Sequence, residues 1–156
     1  MANPNNIERK LAAIMFTDIV GFTALASLNE QHAIELLQKQ REIVFPIIKA
    51  HNGQLHKEIG DGLLVSFNLT SKSIDCAIAI QKAVINIKSL NLRIGVHEGE
   101  IAIGGNDVLG DDVNVASRIE AFSAVGGIAI SGRVQQNISS NPRFETYLIA
   151  KPNLKG

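Results

Sequence analysis

A Gly60-Asp61-Gly62 turn between two strand-like segments, Gln54–Ile59 and 63–67, constrains this 156-residue chain more than any other feature. Strands joined by so short a link must pair antiparallel, because a parallel pair needs a crossover of a dozen residues or more. The turn also carries a carboxylate to the edge of an apolar segment. Asp18 does the same at the end of the apolar run in Phe16-Thr17-Asp18-Ile19-Val20-Gly21-Phe22-Thr23. Carboxylates on tight turns make poor core material. They suit hard cations such as Mg²⁺, which take one or two protein carboxylates plus substrate phosphates. The neighbouring glycines permit the close backbone approach that a phosphate uses. Phosphoryl or nucleotidyl transfer is the chemistry this pairing suggests.

The rest of the pattern alternates between periods. An apolar run over 11–16 reads as a buried strand, and Gly21 breaks it. A long helix is expected over 30–50, with Ile34, Leu37, Val44 and Ile48 near one face and Pro46 bending or restarting it. A second helix is expected over 71–89, with Ile74, Ala77, Ile78, Val84 and Ile85 inward. A second strand pair, 91–96 and 100–103, is expected to turn at Glu98-Gly99, and Gly104-Gly105-Asn106 opens a loop. Asp111 or Asp112 is expected to cap a helix reaching Phe122. A short strand over Ile128–Ile130, a helix over 133–138 and a last strand over 144–149 complete the order. This order suits an α+β fold: an antiparallel-rich, ferredoxin-like sheet with helices on one face. The opposite face needs a cover, and a second copy of the chain is the simplest one. Residues 1–8 read as a flexible segment and 9–156 as one domain.

Composition narrows the function classes. Fifteen basic and 15 acidic residues give zero formal charge with no basic block, which argues against nucleic-acid binding. One cysteine, Cys76, excludes an internal disulfide and reads as a core residue. No apolar run reaches membrane-spanning length, so a cytoplasmic location is expected. Neither a Walker loop nor a Gly-x-Ser-x-Gly elbow is present.

Other polar residues gain meaning only together. Lys57 sits between Leu55 and Ile59 on the expected strand face, either as a snorkelling edge lysine or as a cation aimed into a pocket walled by Ile59. Asn114 and Arg118 are four apart and share a helix face. Arginine's planar fork suits developing phosphoryl charge, yet a surface ion pair is the plainer reading. Asp107, alone, reads as a solvated loop acid.

Four segments in order resemble the class III nucleotidyl cyclase catalytic domain, the adenylyl and guanylyl cyclase family. They are Phe16 to Thr23, Lys57-Glu58-Ile59-Gly60-Asp61-Gly62, Gly95-Val96-His97-Glu98-Gly99 and Gly110-Asp111-Asp112-Val113-Asn114-Val115-Ala116-Ser117-Arg118. The resemblance runs from Arg9 to the C-terminus and implies a role for each residue. Asp18 and Asp61 would bind two divalent cations, Mg²⁺ or Mn²⁺, with the Ile19 carbonyl as a further ligand. Backbone N–H groups of Val20, Gly21, Phe22 and Thr23 would hold the β- and γ-phosphates. Lys57 and Asp107 would read the purine, Asn114 would orient the ribose, and Arg118 would stabilise the transition state. The family's catalytic unit is a dimer whose sites take the metal carboxylates from one chain and Lys57, Asp107, Asn114 and Arg118 from the other. Glu98 departs from the small hydroxyl residue usual there. Leu154-Lys155-Gly156 resembles the lead into the family's final strand, with Lys155 a possible phosphate contact, and a regulatory domain could lie in a longer protein.

The base choice has a physical argument. Adenine's pairing edge offers a donor at N6 and an acceptor at N1, whereas guanine offers the reverse at O6 and N1. Lysine only donates and ionised aspartate only accepts, so Lys57 with Asp107 complements adenine. An ATP-using adenylyl cyclase, forming cyclic AMP and pyrophosphate in a homodimer, is the expectation. A guanylyl cyclase, or a silent nucleotide-binding or dimerisation module, is the alternative.

Overall fold

The expected strand over 11–16 is the middle of a longer one. In the computed structural model, which describes residues 7–104 and 107–152, β1 covers Ile7–Ile19. Ile7 and Glu8 therefore belong to the sheet. Residues 1–6, the Gly105-Asn106 part of the expected loop and Leu154-Lys155-Gly156 lie outside the described residues.

After β1 come α1 (Phe22–Leu28), α2 (Glu30–Ala50), β2 (Gln54–Ile59), β3 (Gly62–Phe67) and α3 (Thr70–Val84). Then follow β4 (Leu92–Gly104), β5 (Asp107–Leu109), α4 (Asp111–Glu120), β6 (Ile128–Ile130) and α5 (Gly132–Ile138). The sheet order is β2-β3-β1-β4-β5, antiparallel throughout, with β6 added parallel to β4. Its first four strands have the ferredoxin-like arrangement expected from the order of elements.

Alternation along β1 divides the core. Ala13, Met15 and Ile19 face one side, where they pack with Leu63, Val65, Ile94 and Val96 against Leu36, Val44 and Ile48 of α2, Ile80 of α3 and Val134 of α5. Ala12 and Ile14 face the other side, with Leu64, Ile101 and Val108. There Ala116 of α4 packs on them, so one helix lies opposite to the expected helical face.

Glycines in β4 explain that placement. The strand does not turn at Glu98-Gly99 as expected, but stays paired with β1 from Leu92 to Gly104. Gly99 is needed because α4 lies against it: an added Cβ would stand 2.1 Å from the Asp112 carboxylate. At Gly95 a Cβ would stand 2.3 Å from the Glu120 backbone nitrogen. Both are positions of close helix–strand approach, and at Gly99 the sequence pattern reads as a turn.

Other expectations change with their physical cause. α1 was not expected; the left-handed Gly21 (φ 77°) redirects the chain into it. α2 runs unbroken through Pro46, held by the buried Val44 and Ile48 on either side. α3 ends at Val84, leaving Ile85 exposed, and the chain turns so that Leu90 is the buried residue. α4 ends at Glu120 and is capped by neither Asp111 nor Asp112. Asp112 instead accepts from the Glu100 N–H at 3.0 Å and bonds His97 Nε2 at 2.9 Å, while His97 Nδ1 meets the Ser131 hydroxyl. Residues 144–149 form no strand, since no neighbour among the described residues offers them a ladder.

Candidate active site

Asp18 and Asp61 meet where β1 ends and β2 turns into β3. The two-residue link needs its first residue left-handed, and Gly60 supplies it at φ 61°. Asp61 Oδ2 accepts the Ile19 N–H at 2.7 Å, fixing the turn against the end of β1. From below, the fully buried Gln40 of α2 donates to the Asp61 carbonyl at 3.2 Å. Asp18 Oδ1 is buried and accepts no hydrogen bond among the described residues. An orphaned carboxylate oxygen beside a second, pinned carboxylate is a donor set that fits a hard divalent cation. Among the described residues, no group of three or more His, Cys, Asp or Glu closes a cage, so other ligands would come from substrate or water.

The turn after β1 sits beside this pair. The Val20 N–H donates to the Asn91 carbonyl at 2.8 Å and is therefore not free for a phosphate. Gly21, as the cap of α1, and Phe22 and Thr23 in its first turn remain the phosphate-facing candidates.

Lys57 is set differently from the simple alternation. β2 bulges between Leu55 and Lys57, so Leu55 pairs Val65 while Lys57 pairs Leu64. Lys57 and Ile59 thus share the sheet face of Asp18, and Leu55 turns to the opposite core. Lys57 Nζ donates to Asp107 Oδ1 at 2.7 Å. That bond, with a second from the Val108 N–H, holds the Asp107 carboxyl below its usual range. The two expected base-reading residues are neighbours in space, 50 positions apart in sequence.

Asn114 and Arg118 lie on the exposed face of α4. Its buried face carries Ala116, Ile119 and Glu120 instead. The structure thus forms two clusters, Asp18 with Asp61 and Lys57 with Asp107, and displays Asn114 and Arg118 outward.

Three residues were missed by the sequence reading: Gln40, Arg93 and Glu120. Arg93 stands directly across from Asp18 in the β1–β4 register, with its Nε donating to the Ser123 carbonyl at 3.2 Å. Glu120 is 6% exposed, with its carboxyl in hydrogen-bond reach of Asp18. Burial first, then that contact and the Asp18 charge, push its pKa up to about 8, with Arg93 opposing. The available signal was spacing: Glu120 follows Ala116 by four on a helix, so it shares the apolar stripe.

Residues 7–156 match the adenylate and guanylate cyclase catalytic domain, and the chain belongs to that family. It is 36% identical over 141 residues to a Rhizobium meliloti (strain 1021) protein named "Putative adenylate cyclase 3", covering 85% of this chain and 24% of that protein. The adenylate/guanylate cyclase/hydrolase from Silicibacter pomeroyi superposes with a TM-score of 0.87 at 32% identity, covering 96% of this chain and 92% of that one. The catalytic core of a rhodopsin-guanylyl cyclase with converted specificity, in complex with ATPαS, superposes at 0.80 with 26% identity over 86% and 85% of the two chains. The chain spans 24% and 18% of the first two curated relatives' lengths. No described helix is long and apolar enough to cross a membrane.

Proposed function

We propose that the chain is the catalytic domain of an adenylyl cyclase, converting ATP to 3′,5′-cyclic AMP and pyrophosphate at sites shared between two copies. The observation that carries the choice of base is the Lys57–Asp107 pair at 2.7 Å. Lys57 keeps two N–H donors after that bond, and Asp107 keeps its second oxygen, so the pair offers a donor beside an acceptor. Adenine's N1 and N6 match that order, whereas guanine would face like with like. Ile59, on the same sheet face and half-exposed, supplies an apolar wall for the base.

Asp18 and Asp61, with the Ile19 carbonyl, would hold the cations. Two divalent ions, Mg²⁺ or Mn²⁺, supply when bound the acidification of the 3′-hydroxyl and the neutralisation of phosphate charge. Gly21, Phe22 and Thr23 present N–H groups to the β- and γ-phosphates. The 3′-oxygen bonds the α-phosphorus as the bond to pyrophosphate breaks, and the hydroxyl proton leaves to solvent. Arg118 of the second copy meets the charge growing on the α-phosphate oxygens, and Asn114 orients the ribose. Outward display of both on α4 supports completion of each site by a neighbour. A cytoplasmic setting suits the nucleotide substrate.

The test is turnover of ATP and GTP, with Mg²⁺ and with Mn²⁺, over a range of protein concentration. ATP preference with specific activity falling on dilution is expected. GTP preference would replace the adenylyl reading, and absence of turnover with intact nucleotide binding would favour a silent module.

A further inference from the structure

Glu120 has no evident use in packing. It is an acid on the buried stripe of α4, pressed against Gly95 so closely that no side chain fits on the strand beneath it. Its carboxyl faces Asp18, whose Oδ1 accepts no hydrogen bond among the described residues. Two carboxyls packed side by side, one buried and one half-buried, oppose folding, since each loses hydration and their charges repel. The nearby Arg93 directs its Nε to the Ser123 carbonyl. An apolar residue at 120 would fit the stripe defined by Ala116 and Ile119 with less conflict. Conflicts of this kind are retained where a site needs them.

We propose that Glu120 is a positioning residue for the cation site: it backs Asp18 and directs Oδ1 toward the divalent ion. This rests on the assignment of Asp18 as a metal ligand. Glu120 is not itself counted as a ligand, in keeping with the lack of a three-acid cage among the described residues. It contributes through Asp18, in the way that residues behind a ligand set its orientation. The same reasoning explains why α4 lies so close to β4. Gly95 permits the approach that brings position 120 to Asp18, while the opposite face of the helix presents Arg118 outward.

The test compares wild type with Glu120→Gln and Glu120→Leu, by Mn²⁺ titration without nucleotide and by thermal melting with and without Mn²⁺. Both variants are expected to weaken Mn²⁺ binding about 10-fold or more. Both should raise the melting temperature of the metal-free protein, because the carboxyl conflict is removed. Glutamine can also donate an N–H to Asp18 Oδ1. A residue that merely fills space would give the opposite pattern: a lower melting temperature with unchanged Mn²⁺ affinity. That pattern in either folded variant overturns the proposal. Asp18→Asn separates the two levels of inference. If it loses Mn²⁺ while Glu120→Gln binds like wild type, only the role of Glu120 falls. If Asp18→Asn binds Mn²⁺ normally, the metal-site assignment falls and the role of Glu120 with it.

Discussion

Lys57 and Asp107, 50 residues apart, hold each other at 2.7 Å across the gap between β2 and β5. The bond depends on the β2 bulge, which turns Lys57 onto the face away from Leu55. Its 37% and 50% side-chain exposure leaves both groups accessible, so the bond itself adds little stability. It fixes a donor and an acceptor side by side, which the proposed reading assigns to the base.

Exchanging this pair should exchange the base. Glu at 57 would accept from guanine N1–H, and Asn at 107 could donate to O6. The double variant Lys57→Glu, Asp107→Asn is expected to lower the ATP-over-GTP ratio of kcat/KM by about 10-fold or more, a change of about 1.4 kcal/mol. Steady-state rates with both nucleotides test it. An unchanged ratio would remove these two residues from base reading.

Arg118 and Asp18 should act in different copies. Asp18→Ala and Arg118→Ala homodimers are each expected to lose activity by 100-fold or more, by analogy with the loss of a charge-stabilising donor (about 10² to 10³ in kcat). In an equimolar mixture that exchanges subunits, one heterodimer site keeps both residues. Activity should recover toward about one quarter of wild type, since random pairing makes half the dimers mixed, each with one intact site of two. Absence of recovery after subunit exchange would count against shared sites.

The pairing of Asp18 with Asp61 was legible because its signals are local. A Gly-Asp-Gly turn and an acid closing an apolar strand announce themselves without knowledge of what packs nearby. Lys57 and Asp107 drew meaning from family resemblance, since neither strand spacing nor loop position brings them together. Glu120 stayed hidden because an acid at the end of a helix reads as solvated, and only the packing of α4 on β4 buries it. Gly99 misled for the same reason: it makes room for another element, as Gly95 does, and no local pattern distinguishes room from a turn. Residues 144–149 have strand-like composition, yet a strand exists only where a neighbour completes its ladder.

Gly95→Ala tests that packing directly. Its Cβ would fall 2.3 Å from the Glu120 nitrogen and 2.5 Å from its Cα, which are backbone atoms that no rotamer change can move. α4 must shift away from the sheet, a form of overpacking that costs about 1–3 kcal/mol. Urea unfolding should show a lower midpoint with an unchanged slope. Mn²⁺ affinity should fall as well, because Glu120 moves with the helix. A midpoint equal to wild type would mean that the helix–strand contact is looser than described.

The metal-free protein should lose stability as pH rises. Glu120 has its pKa raised to about 8, chiefly by burial and then by contact with Asp18, against an ordinary value of 4.5. Between those limits the folded state binds the proton more tightly than the unfolded state does. Linkage then makes the slope of unfolding free energy against pH negative. The stabilisation is complete below the unfolded pKa, fades as pH climbs toward about 8 and is gone above it. Melting temperatures measured in chelator between pH 5 and 9 should therefore fall with pH, after subtraction of the profile of Glu120→Gln, which removes this group alone. Saturating Mn²⁺ should flatten the difference, since a bound cation compensates the ionised carboxyls. A wild-type profile parallel to that of Glu120→Gln throughout would show that Glu120 titrates as it does in the unfolded chain.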